Sequence, residues 1–169
     1  MAKELKTNVM RILDRAKVPY KPWFYRAADG AIDGLSVAAK MGQNVAQVYK
    51  TLVTRGAGGD YFVFVVPVAK ELNLKAAAKS VNEKSVQMIR VSEINKVTGY
   101  IRGGCSPIGM KKRFRTVIDS SCEGQPSVFV SGGRIGSQVE VAPRDLIALT
   151  GALTAQIAED APRKPESGR

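Results

Sequence analysis

The chain has 169 residues, of which 44% are hydrophobic, and this length and apolar content exclude a wholly disordered chain and favour one globular domain. Lysine and arginine exceed aspartate and glutamate by 26 − 15 = +11, which favours an anionic partner, most commonly a nucleic acid. No apolar run approaches the roughly 20 residues of a membrane helix. The first residues lack the apolar segment of a signal peptide, so we expect a cytoplasmic protein with no membrane partner.

The N-terminal half predicts two helices, an edge strand and a hairpin. Apolar residues at helical spacing predict a helix over residues 4–17. A strand over Tyr20–Tyr25 follows, and Pro22 makes it either an edge strand or an irregular one. The stretch DGAIDG is typical of a turn, and Ser36–Met41 predicts a short helix that ends near Gly42. The stretch VYKTLVTRGAGGDYFVFVVPV predicts a hairpin whose second strand, apolar on both faces, is buried.

The C-terminal half alternates short helices and strands. Helices are predicted at Leu74–Val81 and Ser92–Val97, and strands at Val86–Ile89 and in the stretches TVID and SVFVSGG. The stretch SQVEVAPRDL predicts a strand that runs into a helix near Pro143. We predict one α/β domain over residues 1–158, with a mixed, barrel-like sheet and flanking helices, and a disordered tail over residues 159–169.

The chain contains no histidine, which excludes Ser-His-Asp and Cys-His nucleophiles and every histidine metal site. Its two cysteines, Cys105 and Cys122, are too few for a four-cysteine zinc site and fit a reducing compartment. We therefore expect neither a metal nor another cofactor. An enzyme with this composition must use lysine, hydroxyl groups, carboxylates, backbone amides or groups on the substrate.

Lys50 lies in the predicted strand VYKTLVT, which carries apolar residues on both faces. A buried ammonium group needs a partner, so Lys50 could point into a pocket and meet an anion or an ester oxygen. Alternatively, it lies near the strand end and extends to water. The strand pattern alone leaves both interpretations open and leans toward the second.

The stretch GGCSPIGMKKRFR, Gly103–Arg115, combines glycines with four cations. The spacing of Gly104 and Gly109 is that of a P-loop, but Met110 replaces the lysine, which excludes an ATP-binding P-loop. The backbone amides of such a loop can stabilise an oxyanion, although a plain connecting turn has the same composition. The cations could bind phosphates or could form a solvated turn, and they are Lys111, Lys112, Arg113 and Arg115.

The stretch SGG at 131–133 follows a predicted strand and offers a second set of backbone amides, although the pattern by itself favours a plain hairpin turn. Cys105 lies in the glycine-rich loop but has no histidine to activate it, so we do not expect it to act as a nucleophile.

Four stretches, QVYKTLV, VPVAKELNLKAAAK, TGYIRGGCSPIGMKKR and VFVSGGRIGSQVEV, occur in this order along the chain. Together they resemble the YbaK family, which are bacterial free-standing trans-editing proteins, the Cys-tRNA(Pro) deacylases. The superfamily includes the inserted editing domain of bacterial prolyl-tRNA synthetase. The resemblance covers about residues 5–150 and implies a mixed, barrel-like sheet with flanking helices.

The resemblance also implies an activity, which is hydrolysis of the ester between a mischarged amino acid and the terminal adenosine of tRNA. The substrate cysteine is expected to attack its own ester carbonyl, so the protein supplies geometry and charge. The implied partners are aminoacyl-tRNA, especially tRNA(Pro), and transiently a prolyl-tRNA synthetase. Other small substrates, alanine or serine, and a non-catalytic tRNA- or synthetase-binding module remain as alternatives.

The family positions assign roles to residues of this chain. The expected catalytic groups are Lys50, Gly103, Gly104 and Ser106. Those expected to contact the substrate are Tyr25, Asp33, Thr51, Pro107, Ser131, Gly132 and Gln138. The expected tRNA phosphate contacts are Lys111, Lys112, Arg113 and Arg115. Gln138 replaces an aspartate common in the family, and the Asp33 region is one residue shorter and lacks an aromatic residue, so selectivity for the amino acid stays open.

Overall fold

The computed structural model describes residues 6–27, Gly30 and residues 33–161. Within these ranges the helices are α1 (Asn8–Arg15), α2 (Gly34–Met41), α3 (Leu74–Ser80), α4 (Val91–Thr98) and α5 (Pro143–Thr150). The strands are β1 (Tyr20–Phe24), β2 (Tyr49–Gly56), β3 (Tyr61–Pro67), β4 (Lys70–Leu72), β5 (Val86–Met88), β6 (Arg115–Asp119), β7 (Val128–Ser131), β8 (Ser137–Val141), β9 (Leu153–Ala155) and β10 (Ala158–Asp160).

The largest sheet has the strand order β5-β2-β3-β6-β9 and is mixed. Its centre is the predicted hairpin, in which Lys50 pairs with Val66 and Arg55 pairs with Tyr61 in antiparallel register. Strand β6 runs parallel to β3, and β9 runs parallel to β6. This arrangement confirms the mixed sheet that the sequence predicts.

Two smaller antiparallel sheets complete the fold, with the orders β1-β8-β7 and β10-β4. A bridge between Val48 and Phe129 joins the start of β2 to β7. The described strands form these three sheets and do not close into a barrel, and the predicted fold class, a mixed sheet with flanking helices, is confirmed. The large sheet stays open because β5 and β9, three residues each, end it as edge strands.

Strand β3 separates two cores. Val63 and Val65 are fully buried against α1 and the three-stranded sheet, whereas Phe64 and Val66 are fully buried on the α3 side. The strand is therefore covered on both faces, as its continuous apolar sequence predicts. Each of these side chains contributes about 1.5–3 kcal/mol on burial.

Several predicted boundaries shift for local reasons. Helix α1 begins later than predicted, because Thr7 is its N-cap and its side chain accepts a hydrogen bond from the Met10 amide. Glu159 and Asp160, predicted in the disordered tail, pair with β4 instead. The rest of that tail, residues 162–169, and part of the DGAIDG turn lie outside the described residues.

Asp119 anchors the C-terminal segment to the end of β6. Its carboxylate is buried and accepts hydrogen bonds from the amides of Ile157 and Ala158, each at 2.9 Å, and from Ser121 at 3.2 Å. Removing the carboxylate leaves these amides without their acceptor. We expect Asp119→Ala to lower the free energy of unfolding by about 3 kcal/mol, measured by urea denaturation. The control Asp60→Ala, at the exposed hairpin turn, should change it by less than about 0.5 kcal/mol.

Candidate functional site

Lys50 lies between two adjoining cavities at the start of β2. The smaller, the inner cavity, has a volume of about 140 Å³. It is lined by Tyr25, Gly34, Val37, Val48, Tyr49, Lys50, Thr51, Val68, Gly103, Cys105, Ser131, Ser137 and Gln138. The larger, the outer cavity, has a volume of about 640 Å³ and is lined by Asp33, Gly34, Leu35, Lys50, Thr51, Leu52, Val68, Arg102 and Gly103. The two cavities share five residues and form one cleft with a narrow and a wide part.

The Lys50 side chain is half-buried, and burial lowers the pKa of its ammonium group, an effect that the negative charge of Glu71 opposes. A cation in this position attracts an anionic or strongly polar group on a ligand. The structure thus places Lys50 in a pocket, as the first of the two interpretations predicts.

Thr51, the next residue, also lines both cavities. Its Oγ1 atom is buried and has no hydrogen-bond partner among the described residues. Buried hydroxyl groups are normally satisfied, so an unpartnered one at a cleft indicates a place where a ligand supplies the partner.

The glycine-rich loop contributes two residues to the inner cavity, Gly103 and Cys105. The Gly104 amide donates to the Ile101 carbonyl at 3.0 Å, so it is already occupied. Ser106 is fully buried, and its hydroxyl accepts a hydrogen bond from the Ile108 amide at 3.3 Å. The Gly104 amide and the Ser106 hydroxyl therefore have structural partners, whereas Gly103 and Cys105 line the inner cavity.

Close packing explains the second glycine of the loop. A Cβ atom on Gly104 would lie 3.1 Å from the Ile135 backbone nitrogen, so the two loops approach each other closely only with glycine here. On its other side the loop is held by Tyr100, whose hydroxyl donates to the Ile108 carbonyl. Burial raises the pKa of Tyr100 to about 12, so this phenol stays a donor at neutral pH.

The SGG turn supplies the opposite wall of the inner cavity. The Ser131 hydroxyl accepts a hydrogen bond from the Gly133 amide at 3.1 Å, and its own proton remains available to a ligand. Gly132 does not line the cavity. A Cβ atom there would lie 2.6 Å from Ser137 Oγ, so Gly132 allows Ser137 to approach the cavity wall.

Two of the remaining predicted substrate contacts lie at the cleft. The Tyr25 amide donates to the Gly136 carbonyl at 2.9 Å, which fixes Tyr25 beside the inner cavity. Asp33 lines the outer cavity but also caps α2, because its carboxylate accepts from the Ser36 amide at 3.0 Å and the Ser36 hydroxyl at 2.6 Å. These bonds lower the pKa of Asp33.

Pro107 and two of the four loop cations lie at a different place. A separate cavity of about 180 Å³ is lined by Pro107, Lys112 and Arg113, together with Ile12, Ile108, Gly109, Met110, Phe114, Thr116, Leu149 and Thr150. The Lys111 side chain packs over Gly99, and the Arg113 guanidinium lies against Gly151. These glycines end α4 and α5, where a cation is favourable to the helix dipole. All four predicted phosphate contacts are exposed.

Cys105 faces the inner cavity, but its thiol is unreactive. Burial raises the pKa of Cys105 to about 11, which a hydrogen bond with Thr98 opposes, so little thiolate exists near pH 7.5. We expect Cys105→Ala to keep kcat/KM for ester cleavage within about threefold, and we expect alkylation of Cys105 by iodoacetamide to accelerate until about pH 11. A loss of activity in Cys105→Ala would instead make the thiol a participant.

Several cleft residues were missed from the sequence. Arg102 adds a second cation to the outer cavity, and Gly34 and Val68 form the wall shared by both cavities. Arg102 stands beside the glycines of the loop, which is a signal that could have identified it. Nothing local in the sequence marks Val68, because its role depends on how α2 packs against the end of β3.

Across the described residues, no helix is long and apolar enough to cross a membrane. In the same residues, no three acidic or cysteine side chains come together as candidate metal ligands.

The fold and cleft define a class of known proteins. The solved structure of a hypothetical protein, APE2540, superposes with a TM-score of 0.82 at 24% identity, covering 89% of this chain and 99% of the other. The crystal structure of "a putative trans-editing enzyme for prolyl tRNA synthetase" superposes with a TM-score of 0.77 at 26% identity, covering 90% of this chain and 98% of the other.

The sequence gives a more specific result. The family described as the aminoacyl-tRNA editing domain matches residues 34–149, which hold most of the cleft. A relative from Enterococcus faecalis, "Putative Cys-tRNA(Pro)/Cys-tRNA(Cys) deacylase EbsC", is 40% identical over 152 residues, covering 90% of this chain and 93% of the relative. The chain belongs to the aminoacyl-tRNA editing domain family, and the predicted family resemblance is confirmed.

Proposed function

We propose that this protein hydrolyses the ester of mischarged Cys-tRNA(Pro), and also that of Cys-tRNA(Cys), as a free-standing editing enzyme of the cytoplasm. One observation carries the proposal. A half-buried lysine lines both a small cavity and a larger one, in a chain that belongs to an editing family and contains no histidine.

The two cavities fit the two parts of an aminoacyl ester. The inner cavity, about 140 Å³, accepts the small amino-acid side chain, and the outer cavity, about 640 Å³, accepts the terminal nucleoside. The ester between them then lies at the residues common to both cavities, including Lys50, Thr51 and Gly103. In this placement Arg102 is the nearest predicted contact for the phosphate that precedes the terminal nucleoside.

The chemistry is assigned to the substrate thiol. Its sulfur attacks the ester carbonyl carbon, the carbon–oxygen bond to the ribose breaks, and the ribose oxygen takes up a proton. The resulting cyclic thioester is then hydrolysed by water to free cysteine. Orientation in the inner cavity supplies the advantage of an intramolecular reaction, which can reach about 7–11 kcal/mol.

The protein groups stabilise and orient this reaction. The amides of Gly103 and Cys105 are proposed to donate to the carbonyl oxygen as negative charge develops there. Lys50 and the unpartnered Thr51 hydroxyl hold the ester or the ribose, and Tyr25 and Ser131 shape the pocket for the side chain. Of the predicted donors, this assignment leaves out the Gly104 amide, which already donates to the Ile101 carbonyl.

A panel of aminoacyl-tRNAs tests the proposal. Purified protein should release cysteine from excess Cys-tRNA(Pro) with multiple turnovers, and should act much more slowly on Ala-tRNA and Ser-tRNA. Cleavage of Ala-tRNA or Ser-tRNA without cleavage of Cys-tRNA would show an editor of another amino acid. Binding without turnover would show a non-catalytic module.

The exposed cations of the loop are proposed to contact tRNA phosphates. We expect the dissociation constant for tRNA to rise by about tenfold or more between 50 and 200 mM salt, measured by filter binding, because binding releases counterions from the tRNA and this release is less favourable at high salt. In Lys112→Gln, the slope of the logarithm of the binding constant against the logarithm of the salt concentration should become less steep by about one, because one phosphate contact is lost. An unchanged affinity at high salt would remove these cations from the interface.

A transient complex with prolyl-tRNA synthetase is proposed because one structural relative is described as a trans-editing enzyme for that synthetase. Co-sedimentation of this protein with the synthetase, with and without tRNA(Pro), tests the association. Independent sedimentation in both mixtures would contradict it.

A further inference from the structure

Gln43 contacts a wall of the inner cavity from outside. Its Nε2 atom donates to Gln138 Oε1 at 2.7 Å, across 95 positions of sequence. Gln138 is only 6% exposed and lines the inner cavity. The position of Gln43 is fixed by the end of α2, where Gly42 is left-handed and the Gln43 amide donates to the Ala38 carbonyl at 3.0 Å.

This contact determines which end of the Gln138 carboxamide faces the cavity. A carboxamide offers one oxygen as an acceptor and one NH₂ group as a donor. Because Gln43 binds Oε1, the free end is Nε2. No described residue accepts a hydrogen bond from it, and it is not among the buried unpartnered atoms, which are Gln43 Oε1 and Thr51 Oγ1. The Gln138 NH₂ group is therefore free to donate to a ligand in the inner cavity, which Gln138 lines.

The charges around the inner cavity also favour a ligand group that accepts hydrogen bonds or carries negative charge. Lys50 is the only charged side chain among the described residues that line it. The other titratable groups there are Tyr25, Tyr49 and Cys105, and burial raises the pKa of both Tyr49 and Cys105.

No carboxylate lines the inner cavity among the described residues, and those of the neighbouring segments have other partners. Glu140, two residues after Gln138, accepts from Trp23 Nε1 at 3.0 Å and from the Ser127 hydroxyl at 2.6 Å. Asp33 lines the outer cavity, and Glu71 acts on Lys50. The inner cavity thus presents donors and one positive charge.

We propose that Gln43 is a positioning residue that holds the Gln138 NH₂ group toward the inner cavity, where it stabilises the thiolate of the bound cysteinyl ester. This inference rests on the proposed function. A free cysteine thiol ionises at a pKa of about 8.5, so a donor and a cation beside it increase the reactive fraction at neutral pH. Alanine and serine side chains gain nothing from this arrangement, because neither forms an anion.

The test is the pH profile of kcat/KM on Cys-tRNA(Pro). In Gln43→Glu the new carboxylate accepts a hydrogen bond from Gln138 Nε2, which turns Oε1 toward the cavity and adds negative charge. We expect the midpoint of the rising limb to move up by about one pH unit. Gln43→Met, which makes no hydrogen bond, should move the midpoint in the same direction by less.

Gln47→Glu is the matched control, because Gln47 Nε2 donates to Ser127 rather than to a cavity residue. Its profile should match that of the wild-type protein. A lower rate with an unmoved midpoint in both Gln43 variants overturns the inference, since a purely structural role gives that result. Absence of Cys-tRNA cleavage by the wild-type protein overturns the proposed function instead, so the two failures are distinguishable.

Discussion

Replacing Lys50 with methionine is expected to lower kcat/KM for deacylation by about 100- to 1000-fold. The side chain is half-buried and lines both cavities, so methionine keeps most of the packing and removes the positive charge. Single-turnover measurements on Cys-tRNA(Pro) should show the loss in the chemical step. Lys75→Met, on the exposed face of α3, is the control for loss of one positive charge.

Lys50→Met should be more stable than the wild-type protein near neutral pH, although its activity falls. Burial lowers the pKa of Lys50 in the folded protein, so the unfolded chain binds this proton more tightly. Wild-type stability therefore rises with pH as the pH approaches the ordinary lysine pKa, and the variant should lack this rise. Urea denaturation across pH 7–10 measures this dependence of stability on pH.

Retention of deacylation activity within threefold in Lys50→Met would show that Lys50 has no role in the reaction.

Replacing Gly34 with alanine should damage both cavities at once. A Cβ atom at position 34 would lie 2.3 Å from Val68 Cγ1 and 2.8 Å from Val68 Cβ, so α2 must move away from the end of β3. Overpacking of this kind costs about 1–3 kcal/mol of stability. Because Gly34 and Val68 line both cavities, we also expect kcat/KM to fall by about tenfold or more.

The double variant Gly34→Ala with Val68→Ala separates this steric effect from other causes. Removing the two methyl groups of Val68 relieves the 2.3 Å contact with Cγ1 but leaves the 2.8 Å contact with Cβ, so the second substitution should restore only part of the lost activity and stability. Val68→Ala alone should lose stability, because Val68 is buried. Additive losses in the double variant would contradict the steric explanation.

The sequence predicts the central hairpin and most element positions well, because each signal there is local. The run YFVFVVPV is apolar on both faces and forms a strand between two cores, and Pro143 begins α5 as its position predicts. The short strands β4, β9 and β10 were missed. Each has only three residues, and their pairing depends on distant segments such as the anchor at Asp119.

The cleft itself was only partly predictable. Family positions brought Lys50, Thr51, Gly103 and Gln138 to one place, but they could not show that the Gly104 amide is already bonded or that Ser106 is fully buried. These facts depend on the path of the loop backbone. The contact of Gln43 with the cavity wall could not be predicted either, because its partner Gln138 is 95 positions away in the sequence.

The register of β2 against β3 determines the faces of the sheet on which Lys50 and Thr51 lie. Lys50 lies opposite Val66 and Thr51 lies opposite Val65, so these neighbours point to opposite faces of the sheet while both reach the cleft. Inserting one residue just before Lys50 would exchange the ammonium and the hydroxyl between the two faces. The cleft should therefore tolerate a substitution at this strand end better than an insertion.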